Sequence, residues 1–386
     1  MQSFKQRIYP TPDQAQYLRK EFGACRFVYN WALALRTKSW TESQTRLTSS
    51  DVGKRLTLLK READFAWLNE HSARSLFFSL MNLDTAFNRF FQRKSKYPSF
   101  KIRQPYGGSA KFDTAQFKLR AGRLRLPKMN SLVKVNWTRE LPVSPKFVTI
   151  SQDSCGDFWA SFTCDYMPST LPAVVAEVGV DLGISSFATL SNGEKIKSPD
   201  LKRKIERVKI LQRRTSKKLK ASANRKKAQR RVARAYRKVA DARKDFHHKL
   251  SRKLVDENQV IALETLAVTN MVKNRKLSRA ISEQGWSDFV NMLEYKAAWA
   301  GRTVTRVDRF FPSSKTCSAC GHVVNKLPLG VRSWTCPGCG ASHDRDINAA
   351  KNILAAGRVV SACGADGRPV SGLRKKAVGC EAGRNK

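Results

Sequence analysis

Val178-Gly-Val-Asp181-Leu-Gly-Ile-Ser-Ser-Phe-Ala-Thr-Leu190 reads as two buried β-strands joined by a glycine-containing turn, with Asp181 closing the first. A second short apolar run, Val260-Ile-Ala-Leu-Glu264, also ends on an acid. A carboxylate at the end of an apolar strand costs on the order of several kcal/mol of desolvation unless something pairs it. A divalent cation is one remedy, and two such strand ends side by side would hold one.

A third acid comes from His343-Asp-Arg-Asp-Ile-Asn-Ala-Ala-Lys-Asn-Ile-Leu354, which offers both Asp344 and Asp346. At about 100° per residue on a helix, Asp346 shares a face with Ala349, Ala350 and Ile353, while Asp344 points the other way. The alanines would let that face lie close on a sheet. Asp346 is therefore assigned to the site and Asp344 to the helix N-terminus, where an acid suits the helix dipole. Each acid taken singly has a plainer role as turn residue, salt-bridge partner or cap. Together, on a chain of net charge +42, they read as the centre of a metal-dependent nuclease.

Between the last two acids lie Cys317-Ser-Ala-Cys320-Gly and Cys336-Pro-Gly-Cys339-Gly, with fifteen residues separating Cys320 from Cys336. This is the spacing of a four-thiolate zinc ribbon, each knuckle placing two sulfurs on one tight turn. Four sulfurs complete a tetrahedral Zn²⁺ shell, so His322 and His343 are read as non-ligands and the zinc as structural. The remaining cysteines, Cys25, Cys155, Cys164, Cys363 and Cys380, are scattered and odd in number, which suits reduced thiols in a cytoplasmic protein.

The chain has 386 residues and is 41% apolar, enough for two or three domains with real cores. Its 73 Lys and Arg against 31 acids favour a polyanion over a membrane as partner. No signal peptide or continuous apolar span is evident. From Leu201 to Lys253 there are 23 basic residues and three acids. Ile205, Val208, Leu211, Leu219, Val232, Val239, Phe246 and Leu250 recur at helical spacing, which predicts a basic helical hairpin bending near Ala221-Ser-Ala-Asn224. Arg213, Arg214, Lys217, Lys218, Arg225, Lys226, Lys227, Arg230 and Arg231 around that bend are candidate nucleic-acid contacts.

In the N-terminal third, Thr11-Pro-Asp-Gln opens a capped helix and Phe22 to Leu33 a second one. Ser72 to Phe91 predicts another helix, with Leu76, Leu80, Leu83, Phe87 and Phe90 on its buried face. Short alternating runs follow at Phe112 to Phe117, Arg123 to Leu126, Leu132 to Trp137, Phe147 to Ile150 and Phe158 to Cys164. They predict a small β-barrel, to which Phe4 to Ile8 would add a strand, leaving the helices as an insertion.

These pieces resemble one family. Phe22-Gly-Ala-Cys-Arg-Phe-Val-Tyr-Asn-Trp-Ala-Leu33, Tyr97-Pro-Ser-Phe-Lys101, Gly179-Val-Asp-Leu-Gly183, Leu263-Glu264, Pro312-Ser-Ser-Lys-Thr-Cys-Ser-Ala-Cys-Gly321 and Asp344-Arg-Asp-Ile-Asn-Ala-Ala-Lys-Asn-Ile353 match TnpB proteins, transposon-encoded RNA-guided DNA endonucleases related to compact type V CRISPR effectors. The resemblance covers nearly the whole chain. It implies an α/β multidomain protein. Residues 1–10 and 97–170 would form a wedge-like β-barrel carrying a helical recognition insertion at 11–96. A RuvC-like, RNase H-type nuclease domain would span 171–310 and 341–356, with the basic hairpin at 201–253 and the zinc ribbon at 311–340. The end of the chain matches the family less clearly, and its glycine-rich, basic composition predicts a flexible tail at 357–386. The implied catalytic acids are Asp181, Glu264 and Asp346, holding two Mg²⁺ ions. The implied partners are a guide RNA from the transposon end and double-stranded target DNA cut beside a short motif. Two rival readings are a catalytically silent RNA-guided repressor and an RNase H-type transposase that performs strand transfer itself.

Overall fold

The computed structural model describes residues 1–362 except Pro105 and Leu329, so most of the expected tail lies outside the described residues. The chain divides into two compact units: Met1–Met167 with Arg207–Tyr236, and Pro168–Glu206 with Arg237 onward. Both divisions in the second half fall inside helices.

The first unit begins with β1 (Gln2–Tyr9) and α1 (Pro12–Ser43). Thr11 and Gln14 form a reciprocal capping box, with Pro12 at the first helical position. The expected break near Phe22 is absent. No neighbouring atom comes within 4 Å of a Cβ built at Gly23, and nothing local stops the helix, which runs unbroken for 32 residues. α2 (Ser49–Leu59), a 3-10 helix (Ala63–Glu70) and α3 (Ala73–Phe91) follow. Then come β2 (Ser109–Asp113), β3 (Lys118–Arg120), β4 (Arg123–Arg125), β5 (Val133–Asn136), β6 (Pro145–Gln152) and β7 (Phe158–Cys164).

These strands join β1 in one antiparallel sheet of order β2-β6-β7-β1-β5-β4-β3. Phe112, Val148, Ile150 and Phe162 from the sheet share a core with Leu18, Val28, Leu76, Leu80 and Leu83 from the helices. α1 is tied to the start of α3 through Glu21, which is fully buried. Its carboxylate sits 2.8 Å from His71 Nδ1 and accepts hydrogen bonds from the Ser72 N–H, the Ser75 hydroxyl and the Tyr17 hydroxyl. The burial expected at the C-terminal end of α3 is incomplete. Phe87 and Phe90 are only half-buried, and Phe91 is exposed.

The second unit contains β8 (Glu177–Asp181), β9 (Ala188–Leu190), β10 (Lys195–Ile196) and the start of α4 (Lys202–Ser216). The chain returns to it within α5 (Ala223–Glu257) and continues through β11 (Val260–Glu264), α6 (Val268–Met271), α7 (Ser278–Gln284), α8 (Trp286–Ala300) and β12 (Thr303–Val307). It ends with β13 (Ser333–Thr335), β14 (Ser342–Asp344) and α9 (Arg345–Ala362). The five-stranded sheet has the order β10-β9-β8-β11-β12. β8 pairs antiparallel with β9, whereas β8, β11 and β12 run parallel.

Period-two alternation sorts this sheet's faces. Val178, Val180, Ile261 and Leu263 enter a core with Leu254, Trp286, Phe289 and Leu293. Gly179, Asp181, Ala262 and Glu264 face the other way, under α9. A Cβ at Gly179 would lie 2.1 Å from the Ala350 carbonyl oxygen and 2.8 Å from the Leu354 nitrogen. One at Gly357 would meet Ala262 Cβ at 2.5 Å. The helix therefore lies on the sheet at a spacing that only glycine permits. It continues to Ala362, past position 357 where the tail was expected to begin.

The basic hairpin differs from expectation in detail. Its turn occupies 217–222, and Leu219 is 81% exposed there instead of joining the apolar seam. Among the described residues, no helix is long and apolar enough to cross a membrane.

Candidate active site and cysteine centre

Parallel pairing brings the first two acids together. Leu263 pairs with Val180, so Glu264 and Asp181, each one step further on, end neighbouring strands at the same sheet edge. Asp346 arrives from the first turn of α9, whose Ala349, Ala350 and Ile353 are buried against the sheet. All three acids line one cavity of about 380 Å³, together with Phe310, Ser313, Ser314, Lys315 and Arg345. Burial, reinforced by the charges of Glu264 and Asp346, pushes Asp181 up to about 7, with Arg345 and Arg332 opposing. Burial raises Glu264 as well.

Asp344 stands apart from this cavity. Its Oδ1 accepts the N–H groups of Asp346 and Ile347 at 3.1 Å, which caps α9, and its other oxygen lies 2.6 Å from Lys195 Nζ. Burial alone would raise its pKa, but Lys195 and the two backbone donors hold it below the usual carboxylate range.

The four cysteine sulfurs lie within 4.8 Å of one another. Cys317–Cys339 and Cys320–Cys336 are each 3.7 Å apart. A tetrahedral ion with bonds of about 2.3 Å to sulfur needs edges of about 3.8 Å, so the set could hold zinc. The two knuckles repeat one geometry. Cys317 N–H donates to the His322 carbonyl and Cys336 N–H to that of Ala341, while Gly321 and Gly340 take φ of +77° and +73°. Burial opposes ionisation of Cys317, but the backbone N–H groups of Cys320 and Ala319, with His343, bring its thiol down to about 5. His343 Nε2 lies 3.0 Å from that sulfur without belonging to the four-sulfur set.

Several residues of this region carried no sequence-based role. Asn348 accepts the Ser318 N–H through Oδ1 and donates to the Thr316 carbonyl, and Asn352 donates to the carbonyls of Ser313 and Thr316. Both are buried, and they fasten the first cysteine knuckle and the 313–316 loop to the helix that carries Asp346. Their one sequence signal is the i, i+4 spacing beside the acid. Arg332, across the ribbon, places a guanidinium nitrogen 3.4 Å from Asp346.

Of the basic residues proposed to meet phosphate, Arg213, Arg214, Lys217, Lys218, Lys226, Lys227 and Arg231 are exposed. Arg225 and Arg230, from the same set, are half-buried and also make contacts within the chain. Arg225 donates to the Lys218 carbonyl at 2.7 Å and closes the hairpin turn. Arg230 donates to the Cys155 carbonyl and sits over the Tyr106 ring.

Three family models match: "Helix-turn-helix domain" at 1–45, "Probable transposase" (OrfB_IS605) at 161–275, and "Cas12f1-like, TNB domain" at 286–353. The first covers what is here a strand and one continuous helix; the last contains the cysteine centre. The chain is 47% identical over 370 residues to a Streptomyces pristinaespiralis protein named "Putative RNA-guided DNA endonuclease", covering 95% of this chain and 92% of that one. It is 31% identical over 392 residues to "Putative RNA-guided DNA endonuclease InsQ" of Escherichia coli K12, covering 96% of each. A cryo-EM structure of a Cas12f1-sgRNA-target DNA complex shares the fold at TM-score 0.56 and 15% identity, over 89% of this chain and 83% of that one. The chain belongs to the OrfB/IS605 family of TnpB-like proteins.

Proposed function

We propose that this protein is an RNA-guided, metal-dependent DNA endonuclease encoded by a transposon, which cuts target DNA beside a short adjacent motif. The observation that carries the reading is the convergence of Asp181, Glu264 and Asp346, from three distant stretches of sequence, on one cavity. Support for the guide comes from relatives that bear the name RNA-guided DNA endonuclease.

In this reading the five-stranded sheet with α9 is the RuvC-like, RNase H-type domain. The seven-stranded sheet is the wedge-like barrel, the helices between β1 and β2 form the recognition insertion, and the 311–340 segment is a structural zinc ribbon. A guide RNA from the transposon end and duplex target DNA are the partners, and the cytoplasm is the site of action.

The acid set fits hard cations: three oxygen-donor side chains share one pocket, and burial, reinforced by the charges of Glu264 and Asp346, raises Asp181. Asp181, Glu264 and Asp346 would hold a pair of Mg²⁺ ions, which when bound supply an activated water and offset charge on the leaving oxygen. Arg345 and Lys315, in the same cavity, are placed to neutralise the scissile phosphate. Asp344 and the paired asparagines keep the first turn of α9 in position. Cys317, Cys320, Cys336 and Cys339 hold Zn²⁺ with no place left for water, which suits a structural role.

The test is to sequence RNA that co-purifies with the protein and then replace its guide segment. Cleavage that moves to DNA matching the new guide supports the reading. Cleavage that ignores the guide, or RNA of random origin, overturns it.

A further inference from the structure

Residues 86–104 contain six cations (Arg89, Arg93, Lys94, Lys96, Lys101 and Arg103), five aromatics (Phe87, Phe90, Phe91, Tyr97 and Phe100) and no acid. The fold leaves much of this apolar surface in water. Phe91 is 64% exposed, Phe100 58% and Tyr97 48%, with Trp40 at 54% near the end of α1. The rings are organised. Phe87 and Phe91 stack at 6.2 Å and 21°, and Tyr97 meets Phe87 and Phe90 edge-on at 5.6 and 5.3 Å. Arg46 lies over Phe91 at 5.9 Å and Arg36 over Phe87 at 5.6 Å. The Tyr97 hydroxyl is held 2.8 Å from Thr37 Oγ1, and Arg36 is locked on Asp84 at 2.5 Å, so the cluster is braced from α1. Trp40 follows Arg36 and Thr37 by four and three residues, which places it on the same helix face.

An ordinary satellite core buries its rings, and this one presents them among cations. We propose that the far ends of α1 and α3, with the 92–101 loop, form a stacking platform for unpaired nucleotides, distinct from the acid cavity and from the basic hairpin. Exposed aromatic faces take bases of any sequence, while Arg46, Arg93, Lys94 and Lys96 track the phosphates. The excess of cations with no acid in the segment selects a polyanion over a second, equally cationic copy of the chain. The platform does not depend on cleavage.

The experiment uses the full chain and a single-stranded thymidine oligonucleotide carrying 5-iodouracil, cross-linked by ultraviolet light and mapped by mass spectrometry. Cross-links at Phe91, Tyr97 or Phe100 are expected, and none within residues 87–100 would overturn the proposal. In parallel, Phe91→Ser/Phe100→Ser removes two exposed rings, leaving the core untouched. It should weaken binding to the oligonucleotide by roughly tenfold or more, while leaving binding to an abasic strand of the same length unchanged. Arg213→Gln/Arg214→Gln/Lys217→Gln/Lys218→Gln should weaken both strands alike. Equal loss on both strands for the ring variant, or a wild-type dimer that the ring variant dissociates, would show that the surface serves another purpose.

Discussion

Asp181→Asn should stabilise the magnesium-free protein at pH 8 and abolish its response to magnesium. The wild-type carboxyl is pushed up to about 7 by burial and by Glu264 and Asp346. In the unfolded chain it would titrate near its ordinary value of about 3.9. The folded state thus keeps a proton that the unfolded state gives up, and stability falls as pH rises from about 4 to about 7 before levelling off. At about 1.4 kcal/mol per pH unit the full penalty is about 4 kcal/mol, a ceiling because the cavity is open to water. Relief of half of it would raise Tm by roughly 4–8 °C for a unit of this size. The asparagine's advantage should shrink to about a third by pH 5 and vanish near pH 4. Scanning calorimetry without chelator, so that the cysteine centre stays loaded, reads this directly. Added magnesium should reverse the order, since only the wild type gains binding free energy. An asparagine variant no more stable than wild type at pH 8, or equally stabilised by magnesium, would refute the electrostatic account of the site.

Asp346→Ala should abolish cleavage, and Asp344→Ala should lose only the cap of α9, about 1 kcal/mol in a melting experiment with cleavage retained. Gly179→Ala drives a Cβ into the backbone of α9, so it should cost about 1–3 kcal/mol or more and suppress cleavage, whereas Gly53→Ala, with open space around it in α2, should gain up to about 1 kcal/mol. Cys339→Ser should lower bound zinc and the melting temperature of the second unit, checked by elemental analysis and calorimetry. Replacing Arg213, Arg214, Lys217 and Lys218 by Gln should reduce the log–log salt slope of nucleic-acid binding by up to roughly 3, at about 0.7–0.9 per lost phosphate contact.

What could be read from the chain in advance were features with a local signature. The alternation of Val178, Val180, Ile261 and Leu263 set one sheet face, and the i, i+3, i+4 pattern from Asp346 to Ala350 separated that acid from Asp344. The Cys-x-x-Cys spacing announced two tight knuckles, whose four sulfurs the structure brings together. Features that depend on distant partners were illegible. Nothing in the sequence says that Arg230 meets Cys155, that Arg225 closes its own turn, or that Asn348 and Asn352 hold the carbonyls of a loop more than thirty residues away. Helical spacing at Phe87 and Phe90 specified a face but not its cover, and that face ends up half in water. The segment from Phe22 to Leu33 reads as a second helix, but nothing local separates it from the first, and Gly23 is simply tolerated inside a capped 32-residue helix.

The central claim meets its most direct test in plasmid cleavage with magnesium, using the protein bound to a guide of known sequence. Wild-type complex should cut only plasmids that carry the matching target and adjacent motif, leaving free ends. Asp181→Ala, Glu264→Ala and Asp346→Ala complexes should bind the same target and leave it intact. Binding without cleavage by the wild type, cleavage that survives loss of any one of the three acids, or ends joined to a second DNA would contradict it.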